Sequence, residues 1–290
     1  MKIIKPSATI IEGELDHLPV YKRIDKCAAI CYQRPAKPTE EQAEQFCKTM
    51  LDKGHRTPME MVVLHLVVPN NTRHSIGSTK YLRVDESKRL KYMGDVVVTG
   101  SIRALMESIN PISYIWNFLS KHYPLFFPRS KDFGGQNGVR FANFEEMEVL
   151  PEHRHVAVRF VVSRSISHQL VRHRPMAWLQ ESQRYCRYSD EVTFIEPEWV
   201  GEKHKLLKLS WGNHMEDCEN YYRDQLERGL SPQQARGGLP NDTKTELIGY
   251  ASIPQWRHVF SERCSSAADP EMRRIMTPLR DEMLLKKWDV

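Results

Sequence analysis

No CxxC pair occurs among the six cysteines, Cys27, Cys31, Cys47, Cys186, Cys218 and Cys264, and six are too few for a disulfide framework in 290 residues. Reduced, mostly buried thiols are expected. No apolar run is long enough to cross a bilayer, since stretches such as Val62 to Val68 stop at strand length. The opening MKIIKPSATIIEGE lacks an apolar core followed by a small-residue cleavage site, so a cytoplasmic protein with no membrane role is expected. Neither GxxxxGK[ST] nor GxGxxG is present, so any bound phosphate must be held by side chains rather than by a glycine-rich backbone cradle. HExxH and clustered Cys/His spacings are missing as well. His153 and His155 alternate as ligands on one strand face do, and His168 and His173 lie close in sequence, but flanking arginines repel a cation and no metal is expected. No serine or cysteine sits in a nucleophile elbow or beside a base at motif spacing. Repeats and low-complexity segments are also missing.

What is present describes an ordinary globular chain: 40% hydrophobic and 27% charged residues, with a net charge of +5. The mild positive balance suits an anionic small molecule or RNA without requiring either. The length allows one elaborated domain or two cores. Thr39 to Asp52 reads as a helix, capped by Thr39 with Gln42 completing a box and stopped by Gly54. MVVLHLVV reads as a buried strand, which places His55 at a helix-to-strand junction. Residues 69 to 152 read as a composite insertion that holds the basic stretch STKYLRVDESKRLKY, a helix TGSIRALMESI, an aromatic patch YIWNFLSKHYPLFF and a loop KDFGGQNG. A strand from His155 to Val162 follows, then a helix capped by Ser163 and ended by Pro175. The last third is helical through Leu206 to Leu226, through a short helix opened by Ser231 and Pro232, and through PEMRRIMTPLRDEMLLKKW.

The stretch RHRPMAWLQESQRY, Arg172 to Tyr185, concentrates cations. Cations in a last helical turn are favoured by the macrodipole, which accounts for one arginine. It does not account for Arg172, His173 and Arg174 together, because at about 100° of rotation per residue they point in separate directions. Arg184, Arg236 and Arg263 add planar, permanently charged forks suited to phosphates and ionised carbonyl-like oxygens. If folding gathers them, the site takes a nucleotide-like anion. The competing reading is an RNA-binding or RNA-modifying protein using the same arginines, but they are interspersed with acids and no RRM, KH or OB signature appears.

Arg-His-Arg, seven residues and then Ser182 resembles the signature of the flavin-dependent thymidylate synthases. GHRTPMEM upstream and ARGGLP with WRHVFSERCSSAADPEMR downstream resemble segments of the same family in the same order. The resemblance covers residues 25 to 68 and 153 to 285. It implies a single α/β (α+β) domain over residues 1–290, a central β-sheet flanked by helices, with an insertion atypical of the family at about 69–152. It implies a homotetramer with FAD and dUMP bound where subunits meet, 5,10-methylenetetrahydrofolate as carbon donor and NADPH as reductant of the flavin. The product is dTMP, and no enzyme cysteine attacks the uracil. Carried over by position, the resemblance assigns Gln169, Arg172, Gln180, Ser182, Gln183, Arg184 and Arg236 to dUMP. It assigns Arg263 to the uracil ring as the catalytic cation. It assigns His55, Thr57, Glu60, Arg172, His173, Arg174, Gln180, Ser252 and His258 to FAD, with Arg172, His173 and Arg174 as a cationic grip. Departures from the common pattern are Ala177 for Ser, Leu179 for Asn and Gln180 for Glu, together with SSAADPEMR in place of a His-bearing form. No nucleic-acid partner is expected.

Overall fold

The computed structural model describes residues 1–86, 95–129, 138–200, 204–288 and 290. In chain order its strands and helices are β1 (Lys2–Ile4), β2 (Ser7–Ile10), α1 (Glu12–Leu15), α2 (Val20–Ala29), α3 (Glu40–Asp52), β3 (Val63–Pro69), β4 (Leu82–Glu86), β5 (Asp95–Ser101), α4 (Ile102–Ser108), α5 (Tyr114–His122), β6 (Arg140–Phe141) and α6 (Phe144–Glu148). They continue with β7 (His155–Ser163), α7 (Arg164–Leu170), β8 (Ala177–Gln180), β9 (Thr193–Ile195), α8 (Lys205–Glu227), α9 (Pro232–Ala235), β10 (Lys244–Ser252), α10 (Ile253–Arg263) and α11 (Pro270–Leu285). The mixture of helices and sheets is the expected class. The chain builds two compact units, one from residues 1–17, 26–36 and 156–290 and the other from residues 18–25 and 37–155.

The first unit holds a four-stranded sheet ordered β2-β7-β10-β8 and a parallel pair, β1 with β9. Along β7 the alternate residues Val156, Val158, Phe160 and Val162 are fully buried, the period-2 pattern of a strand with one face in a core. That face packs with Leu247 and Ala251 of β10, with Trp256 and Phe260 of α10, and with a methionine-rich stripe on α11 formed by Met272, Met276 and Met283. Trp256 is buried without a polar penalty because its indole N–H donates to the Val156 carbonyl at 3.1 Å. Each such buried side chain contributes about 1.5–3 kcal/mol. A separate cluster seats Trp211, Met215, Tyr222 and Leu226 of α8 against Val192 and Phe194.

The second unit is built on an antiparallel sheet ordered β4-β5-β3-β6. Its core gathers Leu64, Leu66 and Val68 of β3, Val96 and Val98 of β5, and Ile115, Trp116 and Leu119 of α5. The segment 69–152, read in the sequence as an insertion, supplies β4, β5 and β6 to the sheet that contains β3. The loop KDFGGQNG and the second half of the basic stretch lie outside the described residues, apart from Gly138. The α3 boundaries follow the sequence closely: Thr39 Oγ1 accepts the Gln42 N–H at 3.3 Å, and Gly54 takes φ of +74° just past the helix.

Candidate active site

Ser163 starts α7 by accepting the Ile166 N–H at 3.4 Å, as its capping character predicts. The helix is shorter than expected. It ends at Leu170 rather than running to Pro175, and residues 171–174 turn instead. Proline disfavours helical backbone in the residue before it, so Arg174 could not have continued the helix. Arg172 and Arg174 emerge exposed from this turn, with buried His173 between them.

Arg263, the last residue of α10, reaches the same turn. Its Nε donates to His173 Nε2 at 2.7 Å, and its two terminal nitrogens lie at longer range from Gln169, 3.5 Å to Oε1 and 3.4 Å to the main-chain carbonyl. Gln169 is fixed from the other side by donating to Asp269 Oδ2 at 3.0 Å, and Asp269 in turn accepts the Glu271 N–H at the start of α11. His258 on α10 stands edge-on to the His173 ring with centroids 6.2 Å apart. Four residues named from the sequence, Gln169, His173, His258 and Arg263, therefore meet in one place.

This geometry corrects one expectation. An arginine Nε always carries its proton, so His173 Nε2 must accept and the imidazole is neutral with its proton on Nδ1. Burial, then the charges of Arg263 and His258, push its pKa down to about 4. Arg172-His173-Arg174 is thus a pair of cations around a neutral ring, and His173 orients Arg263 instead of adding charge.

The rest of the motif lies on β8 and the turns after it. Gln180 donates to Ser167 Oγ at 2.8 Å and to Thr245 Oγ1 at 3.2 Å, so the amide that stands where a carboxylate is common is locally satisfied. Ser182 accepts the Arg184 N–H at 3.3 Å, and Arg184 Nε donates to Gln233 at 2.9 Å, which carries it toward the ARGGLP segment. Gln183 Nε2 is buried with no hydrogen-bond partner among the described residues. The guanidinium groups of Arg172, Arg174 and Arg236 have no hydrogen-bonding or ion-pairing acceptor among those residues either. Exposed arginine forks with no protein acceptor, beside one buried unpaired amide, fit an anionic, oxygen-rich ligand. Ser252 has a structural role, because it opens α10 in a capping box with Gln255, its N–H donating to Gln255 Oε1 at 3.0 Å.

His55, Thr57 and Glu60 lie on the second unit. His55 and Thr57 are exposed, whereas Glu60 is half-buried and ion-paired with Arg103 at 2.7 Å. Burial raises the Glu60 pKa against the pull of Arg103.

Several participants were not singled out from sequence. Arg164 is half-buried in the first turn of α7, where burial lowers its pKa, Tyr188 and Glu181 oppose that fall, and Arg236 adds to it. A cation at a helix N-terminus opposes the macrodipole, and that was the available signal. Glu181 is buried beside Gln180, accepting from Lys244 at 3.0 Å, from the Tyr188 hydroxyl at 2.7 Å and from the Glu246 N–H at 2.9 Å. Ser167 and Thr245, which hold Gln180, gave no signal. A cleft of about 320 Å³ in this unit is lined by Tyr32, Glu181, Tyr185, Arg187 and Lys244, so it borders the motif while most of the named residues lie elsewhere. Cys31, Cys47 and Cys186 are unactivated: burial raises Cys31 and Cys186 to about 11 and Cys47 to about 12. Among the described residues no cluster of His, Cys, Asp or Glu suits a metal, and no helix is long and apolar enough to cross a membrane.

Residues 145–288 match the family described as thymidylate synthase complementing protein. The match contains every site residue of the first unit named above and leaves out His55, Thr57 and Glu60. A flavin-dependent thymidylate synthase of Pyrococcus furiosus is 33% identical over 124 residues, which cover 42% of this chain and 50% of that protein. One from Mycobacterium tuberculosis (strain H37Ra) is 31% identical over 137 residues, covering 42% and 55%. The chain spans about half the length of these relatives. The crystal structure of a UMP/dUMP methylase, PolB from Streptomyces cacaoi bound with 5-Br dUMP, is similar at a TM-score of 0.42 and 18% identity, covering 51% of this chain and 78% of that one. The segment matched by this family thus holds Arg263, His173, Gln169 and the Gln183 amide together.

Proposed function

We propose that the chain is a flavin-dependent thymidylate synthase, which methylates dUMP reductively to dTMP with 5,10-methylenetetrahydrofolate as carbon donor and NADPH as the source of reducing equivalents. The observation that carries this reading is the Arg263 fork, tethered through Nε by neutral His173 and only loosely held by Gln169, within the family segment. A guanidinium fixed in this way has N–H groups left for a uracil carbonyl, and for N3 only as negative charge develops there. Negative charge spreading over that edge of the ring is stabilised by a cation that need not reorganise, and C5 becomes the better nucleophile. Unactivated thiols agree with a route that uses no enzyme cysteine.

Arg184, Ser182, Gln183 and Arg236 are assigned to the sugar and phosphate of dUMP, where the unpaired Gln183 Nε2 and the Arg236 fork find acceptors. Gln169 and Arg172 are assigned to the same nucleotide, and Gln180 to a contact shared by nucleotide and cofactor. Arg172 and Arg174 are the cations for the FAD phosphates, with His173, His258, Ser252, His55, Thr57 and Glu60 as its further contacts. When bound, FAD in its reduced form supplies the hydride that completes the methyl group. Residues 1–290 act in this reading as one synthase domain to which 69–152 is added, in a cytoplasmic homotetramer with active sites where subunits meet.

The test is direct. Purified protein supplied with FAD should be yellow and should form dTMP from dUMP only when both the folate donor and NADPH are present. A colourless protein that takes up no flavin, or one that binds polynucleotide with a steep salt dependence instead, overturns the reading.

A further inference from the structure

The second unit contains a hydrogen-bonded chain of side chains that no step of the proposed reaction uses. His65 on β3 and Thr99 on β5 are direct cross-strand partners, and His65 Nδ1 lies 2.9 Å from Thr99 Oγ1. The same hydroxyl lies 2.8 Å from His153 Nδ1, and His153 Nε2 lies 2.8 Å from Asp85 Oδ2 on β4. Thr99 and His153 are fully buried, His65 is half-buried, and the Asp85 side chain at the far end is 43% exposed. A nucleophilic triad is excluded by that burial, because no substrate reaches the Thr99 hydroxyl.

The direction of each bond follows from counting protons. Burial works to raise the Asp85 pKa, but hydrogen bonds and charge from Arg83 and His153 carry it below the ordinary value, so the carboxylate only accepts and His153 Nε2 donates. Burial keeps His153 neutral against the pull of Asp85, which leaves Nδ1 a lone pair for the Thr99 hydroxyl. Thr99 then has no proton left, so it accepts from His65, whose own proton sits on Nδ1 and whose Nε2 is a lone pair.

We infer that His65, Thr99, His153 and Asp85 form one oriented proton relay, running from the His65 Nε2 lone pair to the His153–Asp85 pair. A proton taken up at His65 Nε2 releases the Nδ1 proton to the Thr99 oxygen, and the Thr99 hydroxyl gives its own proton to His153 Nδ1. The charge arrives as an imidazolium beside the Asp85 carboxylate, with every proton accounted for and no heavy atom displaced. The ionisable groups around the relay are Arg83 and Glu152 near His153, and His155 and Arg23 near His65. His155 is itself held in place by the contact of its Nδ1 with the His153 carbonyl at 2.9 Å.

Ring-nitrogen NMR of the full-length chain labelled with 15N-histidine tests this. At neutral pH His65 should carry its proton on Nδ1, the less common tautomer of a free imidazole, and His153 on Nε2. Thr99→Val should invert the His65 tautomer ratio, while Thr99→Ser should preserve the wild-type pattern. Asp85→Asn, at a half-exposed position, should shift the His65 nitrogens when Thr99 is present and leave them unmoved in the Thr99→Val background. A His65 protonated on Nε2 in the wild type, or no response of His65 to Asp85→Asn alone, overturns the relay. The second of these outcomes is readable even if Thr99→Val does not fold.

Discussion

At the scale of single residues, the two arginines that matter most make different predictions. Arg263→Lys exchanges a planar fork for a point charge that cannot donate to His173 and to a uracil edge together. Turnover should fall by about 10²–10³-fold, the cost of losing one preorganised donor to developing negative charge, while flavin content stays at the wild-type level. Steady-state dTMP formation beside a visible spectrum reads both, and wild-type turnover would remove Arg263 from its role. Arg174→Ala should instead lower the flavin-to-protein ratio after gel filtration, since that guanidinium is exposed and has no acceptor among the described residues. An unchanged ratio would take Arg174 out of the cofactor grip. Residue identities at this scale were legible because arginine chemistry is legible. The neutrality of His173 was not, because it depends on a donor 90 positions away in the chain.

At the scale of elements, β8 and β10 are the pair that sets the motif. Gly249 of β10 stands opposite Trp178 of β8, and a Cβ there would meet the indole ring at 2.5 Å. Trp178 in turn packs on Phe160 with ring centroids 6.1 Å apart, and its N–H reaches the His173 carbonyl at 3.4 Å. Gly249→Ala should therefore cost about 1–3 kcal/mol as overpacking. The displaced indole should also disturb His173, raising KM for dUMP along with the loss in urea midpoint. A midpoint equal to wild type would show that the ring has room to move. Trp256→Ala probes the same core from the α10 side. Emptying that buried site, and leaving the Val156 carbonyl unpaired, should cost about 3–5 kcal/mol in the same measurement. Glycine at position 249 carried no sequence signal beyond a weak interruption of a strand, since the need for close approach comes from Trp178.

At the scale of the whole molecule, buried neutral histidines link stability to pH. Burial lowers His65 from 6.5 to about 3, and lowers His155 and His173 from 6.5 to about 4. Between those values the unfolded chain binds protons at these rings and the folded chain does not, so stability rises with pH across the window and is lost as pH falls through it. The urea midpoint should accordingly drop between about pH 7 and about pH 5, before most carboxylates titrate. A midpoint that stays level over that interval would mean the rings are solvated and protonate freely.

The sequence by itself determined the local elements and nominated the residues of the candidate site. Thr39 and Ser163 mark helix starts through their own hydroxyls, alternating Val156, Val158, Phe160 and Val162 mark a strand whose one face is buried, and the arginines nominate a candidate anion site through charge that no environment removes. Tertiary structure decided everything that needs two distant segments at once. It divided the strands among two four-stranded sheets and a parallel pair, and it stopped α7 at Leu170. It also set the protonation of His173 and His65, because a tautomer is fixed by what the other end of the hydrogen bond can give or take, and that partner is chosen only by the fold.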